Sequence, residues 1–576
     1  MTILVHQLAD AFESHGGAIA VRQGDVGTSY RDLWHRSGQW AGLLSGRGIG
    51  TGDVVAVEDT RTREIIALVL ALWRIGATPM PFGTDLPAQR LSQMREVAQP
   101  ALAVVATETG RQLVAGIAQL DLAAIESAPT DTAPDTELSA DELAYLLFTS
   151  GSTGTPKAVA MPLRGLAPLM TWQASQGARI TCQYAPLYFD VAFQEILSTF
   201  LAGGELVLVD ADTRQNFSRL AELVSAQGVQ RLFLPTAAVD PFCQVATLAT
   251  PDLREIIVAG EQLHVTPAVR AFFTQNPQAV LGNHYGPCET HVVTVHDLTG
   301  PAADWPDTPP IGVPLPGVTV RLEPRDGDDI GELIIEGPCV ADGYHRAPER
   351  TAERFGTSAD GVRTYRTGDL VRWNDGVLEF CGRADRQVKV RGFRVEIDEV
   401  EATLKQHPAT AGVAVLPHTV GGETALVAYL VDRSASAQAG PENPVVRRHE
   451  PTWIEFAAEK LPEYMVPSIW VELADLPATP TGKVDRLALP EPPMQRPPLA
   501  VGYRPPTGPV ELKVAQVWDQ ILGFSGSGAD DPFFEAGGSS LMATRLVARL
   551  SHELGVTVFV PRLFEAPTIG GLARTL

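Results

Sequence analysis

The sequence is poor in cysteine and spaces none of it for a metal. Its five cysteines, Cys182, Cys243, Cys288, Cys339 and Cys381, are scattered with no C-x-x-C pair. Reduced, buried thiols are the plain reading, and they point to a cytoplasmic protein. Basic excess is also missing: the formal net charge is −23, which argues against a nucleic-acid partner or an anionic membrane surface. No apolar run is long enough to span a bilayer. The longest, "IIALVLALW" at 65–73, stops at Arg74 and reads as a buried helix. The N-terminal "MTILVHQLADAFESHGG" has no basic region and meets acid early, so no signal peptide is expected.

What is present is ordinary for a soluble enzyme: 45% hydrophobic and 20% charged residues. At 576 residues the chain is too long for one core, and three or more folding units are expected. Residues 1–385 alternate Val/Ile/Leu-rich runs ("DVVAV", "ALAVVA", "GGELVLVD", "VQRLFLP", "LREIIVAG") with helical patterns at 61–74 and 217–227. That alternation predicts layered α/β structure with largely parallel sheets. A smaller unit follows over 386–489, with strands in "RQVKVRGFRVE", "AGVAVL" and "ALVAYLV", helices at 397–406 and 453–460, and a polar loop at 434–450. The stretch 489–509 holds eight prolines and reads as a semi-rigid linker, assigned to 490–510. Residues 511–576 read as a small helical bundle, with helices at 511–523 and 540–554.

The most telling stretch is "TSGSTGTPK", 149–157. A strand end runs into a glycine-spaced loop whose hydroxyls and free N–H groups can surround phosphate oxygens. A P-loop NTPase would need Ser or Thr after the lysine, and Ala158 stands there. With "TSYRDL", "YFDVAFQEI", "NHYGPCET", "GELIIEGPCVADGY", "YRTGDL", "GRADRQVKVRGFRVE" and "PTGKVDR" in order along the chain, the sequence resembles the adenylate-forming superfamily. That superfamily includes acyl-CoA synthetases, luciferase and nonribosomal peptide synthetase adenylation domains. The resemblance implies a large layered α/β N-terminal domain, a small α+β C-terminal subdomain and ATP with Mg²⁺ as cofactors. By it, Thr149, Ser150, Thr153 and Lys157 hold ATP phosphates, Tyr285 stacks on adenine, and Asn283 reads its amino edge. Gly260 faces the nucleotide, Glu289 binds Mg²⁺, Asp369 takes the ribose hydroxyls with Arg383 nearby, and Asp385 is the hinge. Lys483 reaches the α-phosphate and the substrate carboxylate. Where the family usually has Thr, this chain has Cys288, a weak donor, so Thr290 is expected to carry more of that phosphate contact.

Asp190, after Phe189, resembles the carboxylate that pairs with the substrate ammonium in peptide-synthetase members; acyl-CoA and aryl ligases have no such charge to balance. The family's pocket positions fall on Asp190, Val191, Gln194, Leu232, Ile257, Ala259, His284, Val292, Val293 and Lys483. The set looks like that of L-proline-activating domains, with close proline analogues left open. "DPFFEAGGSSLMATRLVARL" (531–550) resembles a peptidyl-carrier signature, implying 4′-phosphopantetheine on Ser540, an all-α four-helix-bundle carrier, and a phosphopantetheinyl transferase as partner. The expected function is ATP-dependent activation of L-proline and its loading onto the chain's own carrier. A condensation enzyme or a flavin-dependent oxidation enzyme would take the product, and dependence on an MbtH-like helper is left open. An acyl-CoA or aryl ligase with a fused carrier tail is the alternative.

Overall fold

The structure is a computed structural model that describes all but residues 1–3, 128–137, 152–154, 247–249, 325–328, 391–392, 421–422, 434–444, 447–450, 479–483, 493–495, 497–498, 500, 539 and 557. Apolar runs become strands where both sheet faces are covered. The strands Ile180–Gln183, Glu205–Leu208, Arg231–Pro235, Glu255–Ala259 and Val280–Tyr285 run parallel with Ile19–Gln23 in a nine-stranded sheet. Only its edges, Val26–Ser29 and Thr294–Leu298 with Val313–Pro314, are antiparallel. A second sheet of Thr78–Phe82, Val54–Glu58, Leu102–Val105 and Gln119–Asp121 is wholly parallel. The helix Arg63–Arg74 is buried at every position from Ile65 onward, as a helix apolar all round must be. Its terminal Arg74 lies 4.2 Å over the Trp34 ring and donates to Ser37.

Two expectations need correction. Residues 319–383 of the large domain form a third, antiparallel sheet, with Gly331–Glu336 between Thr319–Pro324 and Arg363–Asn374. These strands have one wetter face, so they lack the long apolar runs that announce parallel strands. In the expected 434–450 loop, Val445–Val446 is a strand paired with Ile469–Glu472; the rest of that loop lies outside the described residues.

The small subdomain comprises the hairpin Gln387–Val390/Phe393–Glu396, the helix Ile397–Leu404, and a four-stranded sheet backed by the helix Pro451–Lys460. The last unit holds the helices Gly508–Leu522, Ser540–Leu554, Val560–Glu565 and Ile569–Ala573 around Trp518 and Phe533, whose rings meet edge to face at 4.8 Å. The linker is tied down along its described part. Tyr429 donates to the Pro490 carbonyl, Arg496 pairs with the buried Asp531 at 2.7 Å, and Arg504 pairs with Asp530. Helix Ser540–Leu554 packs on the large-domain helix Thr236–Val245. Among the described residues, no helix is long and apolar enough to cross a membrane.

Candidate functional site

Parallel strands end their side-chain cover at their C-terminal edge, and ligands of α/β sheets collect there. A cavity of about 160 Å³ sits at that edge, lined by Gly260 and Gly286 just past two strands, and by Asp190, Cys288 and Asp369. The small subdomain closes it with Lys389, Phe393, Arg394 and Tyr464.

The phosphate-loop residues meet the small subdomain. The Ser150 hydroxyl donates to the Arg394 carbonyl at 2.8 Å and accepts from the Glu396 N–H at 3.1 Å. The Gly151 N–H donates to Glu399 at 2.9 Å, and the Lys157 ammonium pairs with Glu396 at 2.9 Å. The Thr149 hydroxyl is buried without a partner among the described residues. Thr153 lies outside the described residues. Two carboxylates thus stand against donors suited to phosphate oxygens.

Glu289 is fully buried and accepts from Arg394 and from the Tyr344 hydroxyl, each at 2.8 Å. Burial pushes its carboxyl up, but Arg394, Lys157 and the Tyr344 hydroxyl hold it below the ordinary value. It stays ionised, and its oxygens are hard donors. Asp369 accepts from the Tyr285 hydroxyl at 2.5 Å and is ion-paired with Arg383. Asn283 donates its amide to the Pro310 carbonyl at 2.8 Å, so its Oδ1 has no partner among the described residues. Asp385 takes Arg383 at 2.8 Å and Arg354 at 2.9 Å. Burial pushes the Asp385 carboxyl up, and the two guanidiniums more than offset that.

The structure places Thr290 within its own loop and not on the cavity wall. Its side chain is fully buried and its hydroxyl donates to the Pro287 and His291 carbonyls inside its own loop, whereas Cys288 lines the cavity. The substrate positions fall partly on the cavity wall and partly away from it. Asp190, first residue of the helix Asp190–Leu201, lines the cavity, and its Oδ1 accepts the Val191 N–H at 2.8 Å. Val191 is half-buried beside it. Leu232, Ile257, Val292 and Val293 are buried, with Ala259 at a strand end, yet none of them lines this cavity. Gln194 donates to Gln173 at 2.5 Å and lies 3.4 Å from the His284 Nδ1, a buried polar cluster. Burial, then the Arg231 charge, push His284 down to about 3, so its imidazole is neutral. Gln173 was missed, although a glutamine among the apolar residues of "LAPLMTW" was a signal.

Lys483 lies outside the described residues. Its flanks, Ala478 and Val484, form a bridge, and Val484 packs on the small subdomain's own sheet. Ser540 is the first residue of its helix, directly after the turn of Gly537 and Gly538, and its side chain is outside the described residues. A Cβ on Gly538 would meet the Phe533 ring at 2.4 Å, so the turn demands glycine.

Residues 8–345 match the AMP-binding enzyme family, and the chain belongs to it. Residues 399–483 match the AMP-binding enzyme C-terminal domain, and residues 513–576 the phosphopantetheine attachment site. The chain is 36% identical over 573 residues to tyrocidine synthase 2 of Brevibacillus parabrevis, covering 96% of this chain and 16% of that one. It is 35% identical to the phosphinothricin tripeptide synthetase PhsC of Streptomyces viridochromogenes, over 99% of this chain and 52% of that one. It therefore spans about half or less of these relatives' lengths. Among solved structures, holo-PA1221, a nonribosomal peptide synthetase protein with adenylation and carrier domains bound to a vinylsulfonamide inhibitor, matches at a TM-score of 0.82. The identity there is 25%, over 100% of this chain and 96% of that one. NpsA-ThdA of Klebsiella oxytoca, an artificially fused adenylation–carrier pair, matches at 0.70 and 25% identity, over 82% and 93%. An AMP-binding domain is thus joined to a carrier domain, homologous to nonribosomal peptide synthetase adenylation–carrier proteins.

Proposed function

We propose that the chain activates L-proline with ATP, releasing pyrophosphate, and loads the prolyl group onto Ser540 of its own carrier. The division is 1–385 and 386–489 for adenylation, 490–510 for the linker and 511–576 for the carrier. Asp190 carries the reading: a carboxylate at the wall of a mostly apolar cavity needs a cation, and an α-amino or imino acid brings one. Gln194, Gln173 and His284 close the space behind it and keep the pocket shallow, which favours a small ring over a long side chain. The five free cysteines suit a reducing cytoplasm.

In the first half-reaction the amino-acid carboxylate displaces pyrophosphate at the α-phosphorus of ATP. Asp190 holds the ammonium, Asp369 takes the ribose hydroxyls, Asn283 accepts the adenine amino group, and Lys157 with Ser150 faces the leaving phosphates. Lys483 brings positive charge to the α-phosphate as charge develops there. The buried, ionised Glu289 fits Mg²⁺, which when bound offsets charge on the phosphate oxygens. The 4′-phosphopantetheine on Ser540, attached by a phosphopantetheinyl transferase, supplies the thiol that accepts the acyl group.

Amino-acid-dependent pyrophosphate exchange across a panel of acids tests the specificity. Proline should give the fastest exchange. Strong exchange with leucine or phenylalanine and none with proline overturns it.

A further inference from the structure

His291 has an unusual combination of properties. It is 1% exposed, and its backbone sits at φ +56°, where a non-glycine residue is strained. The loop it ends folds tightly on itself: a Cβ on Gly286 would meet the His291 carbonyl at 1.7 Å, and the Val293 N–H returns to the Tyr285 carbonyl at 2.8 Å. Strain of this kind persists only where the surroundings hold it, and here the ring does the holding. Its Nδ1 accepts the Val292 N–H at 2.8 Å, which requires that nitrogen to be unprotonated. The proton is therefore on Nε2, which donates to the Asp190 carbonyl at 2.9 Å. One imidazole thus ties the first residue of helix Asp190–Leu201 to the opposite wall, between the loop and the strand Thr294–Leu298.

We propose that His291 is the positioning residue for amino-acid recognition: it fixes the Asp190 backbone, and hence where its carboxylate meets the substrate ammonium. The proposal rests on Asp190 being the ammonium partner. Because His291 grips Asp190 through the main chain, its loss leaves the carboxylate in place but aimed less well. Affinity for the amino acid suffers, while ATP recognition at Asp369 and Asn283 does not.

The test uses the full chain and whichever amino acid supports the fastest pyrophosphate exchange, so it does not depend on proline. His291→Asn keeps a residue tolerant of the left-handed backbone and an acceptor for Val292, but loses the donor to Asp190. It should raise the amino-acid KM roughly tenfold, the worth of one buried hydrogen bond, with the ATP KM and kcat unchanged. His291→Gln restores an N–H at the Nε2 position and should recover part of the loss. In an Asp190→Ala background, His291→Asn should add little further. A normal amino-acid KM in His291→Asn, with Asp190→Ala impaired, overturns the positioning role alone. So does a lowered melting temperature with KM unchanged, or full additivity of the two substitutions. A normal KM in Asp190→Ala overturns the pocket reading and this proposal with it.

Discussion

Two side chains, one at the cavity wall and one buried, show how single residues set the chemistry. Asp190 stands at the cavity wall, where among the described residues only the Val191 N–H bonds its carboxylate; on the proposed reading the substrate's ammonium is the partner that completes it. Asp190→Ala should raise the amino-acid KM roughly a hundredfold, as loss of a buried charge partner does, with ATP affinity unchanged; steady-state exchange at varied amino acid and ATP measures both. His284 is a histidine kept neutral. Its folded value is about 3 against an unfolded value of 6.5, so below pH 6.5 the unfolded chain binds a proton that the folded chain refuses. Stability contributed there is full above pH 6.5 and falls as pH drops, by at most about 1.4 kcal/mol per pH unit. In melting curves between pH 7.5 and 5.5, about the range where histidine titrates, His284→Gln should lose less stability than the unaltered protein. The residue types at these positions were legible in the sequence, because each stands in an ordered motif. Their partners were not: the grip of His291 on Asp190 joins residues 101 apart in the chain, and periodicity carries no information about such a bond. Thr290 shows the same limit, since a hydroxyl's direction depends on a turn that the motif does not specify.

At the scale of elements, the hairpin Gln387–Glu396 and the helix Ile397–Leu404 act together. Arg394, Glu396 and Glu399 meet Glu289, Lys157 and Gly151, and Arg90 adds a 2.5 Å pair to Glu399. These carboxylates and ATP phosphates cannot share the same donors. On the proposed placing of the ATP phosphates against Lys157, Ser150 and Gly151, this orientation of the small subdomain competes with ATP binding, and any change that weakens one favours the other. The double substitution Glu396→Gln/Glu399→Gln should lower the ATP KM several-fold, as loss of charge-assisted bonds suggests, and should slow transfer to the carrier. Quenched-flow measurement of the two half-reactions separates these effects. The strands and helices themselves were largely legible, because a buried parallel sheet writes continuous apolar runs. The antiparallel sheet over 319–383 was not, since its wetter strands alternate less clearly. The contacts between hairpin and phosphate loop were also hidden, because charged residues read in isolation look like a solvated face.

For the whole molecule, carrier and adenylation units are held by two devices. The Ser540 helix packs on the helix Thr236–Val245, and the linker is clasped by Arg496 to the buried Asp531, whose carboxylate also accepts the Gly528 N–H at 2.7 Å. Arg496→Ala leaves a buried carboxylate without its cation. It should slow self-loading severalfold by loosening the tether, while pyrophosphate exchange, which needs no carrier, stays unchanged. Against the net charge of −23, Lys389, Arg383 and Arg394 gather at the wall of one cavity. The most direct measurement is intact mass of the phosphopantetheinylated protein after incubation with ATP, Mg²⁺ and mixed amino acids. A single prolyl group on the Ser540 arm, absent in Ser540→Ala and in Asp190→Ala, is expected. An arm that stays unacylated, or one that carries an acid without an α-nitrogen, contradicts it.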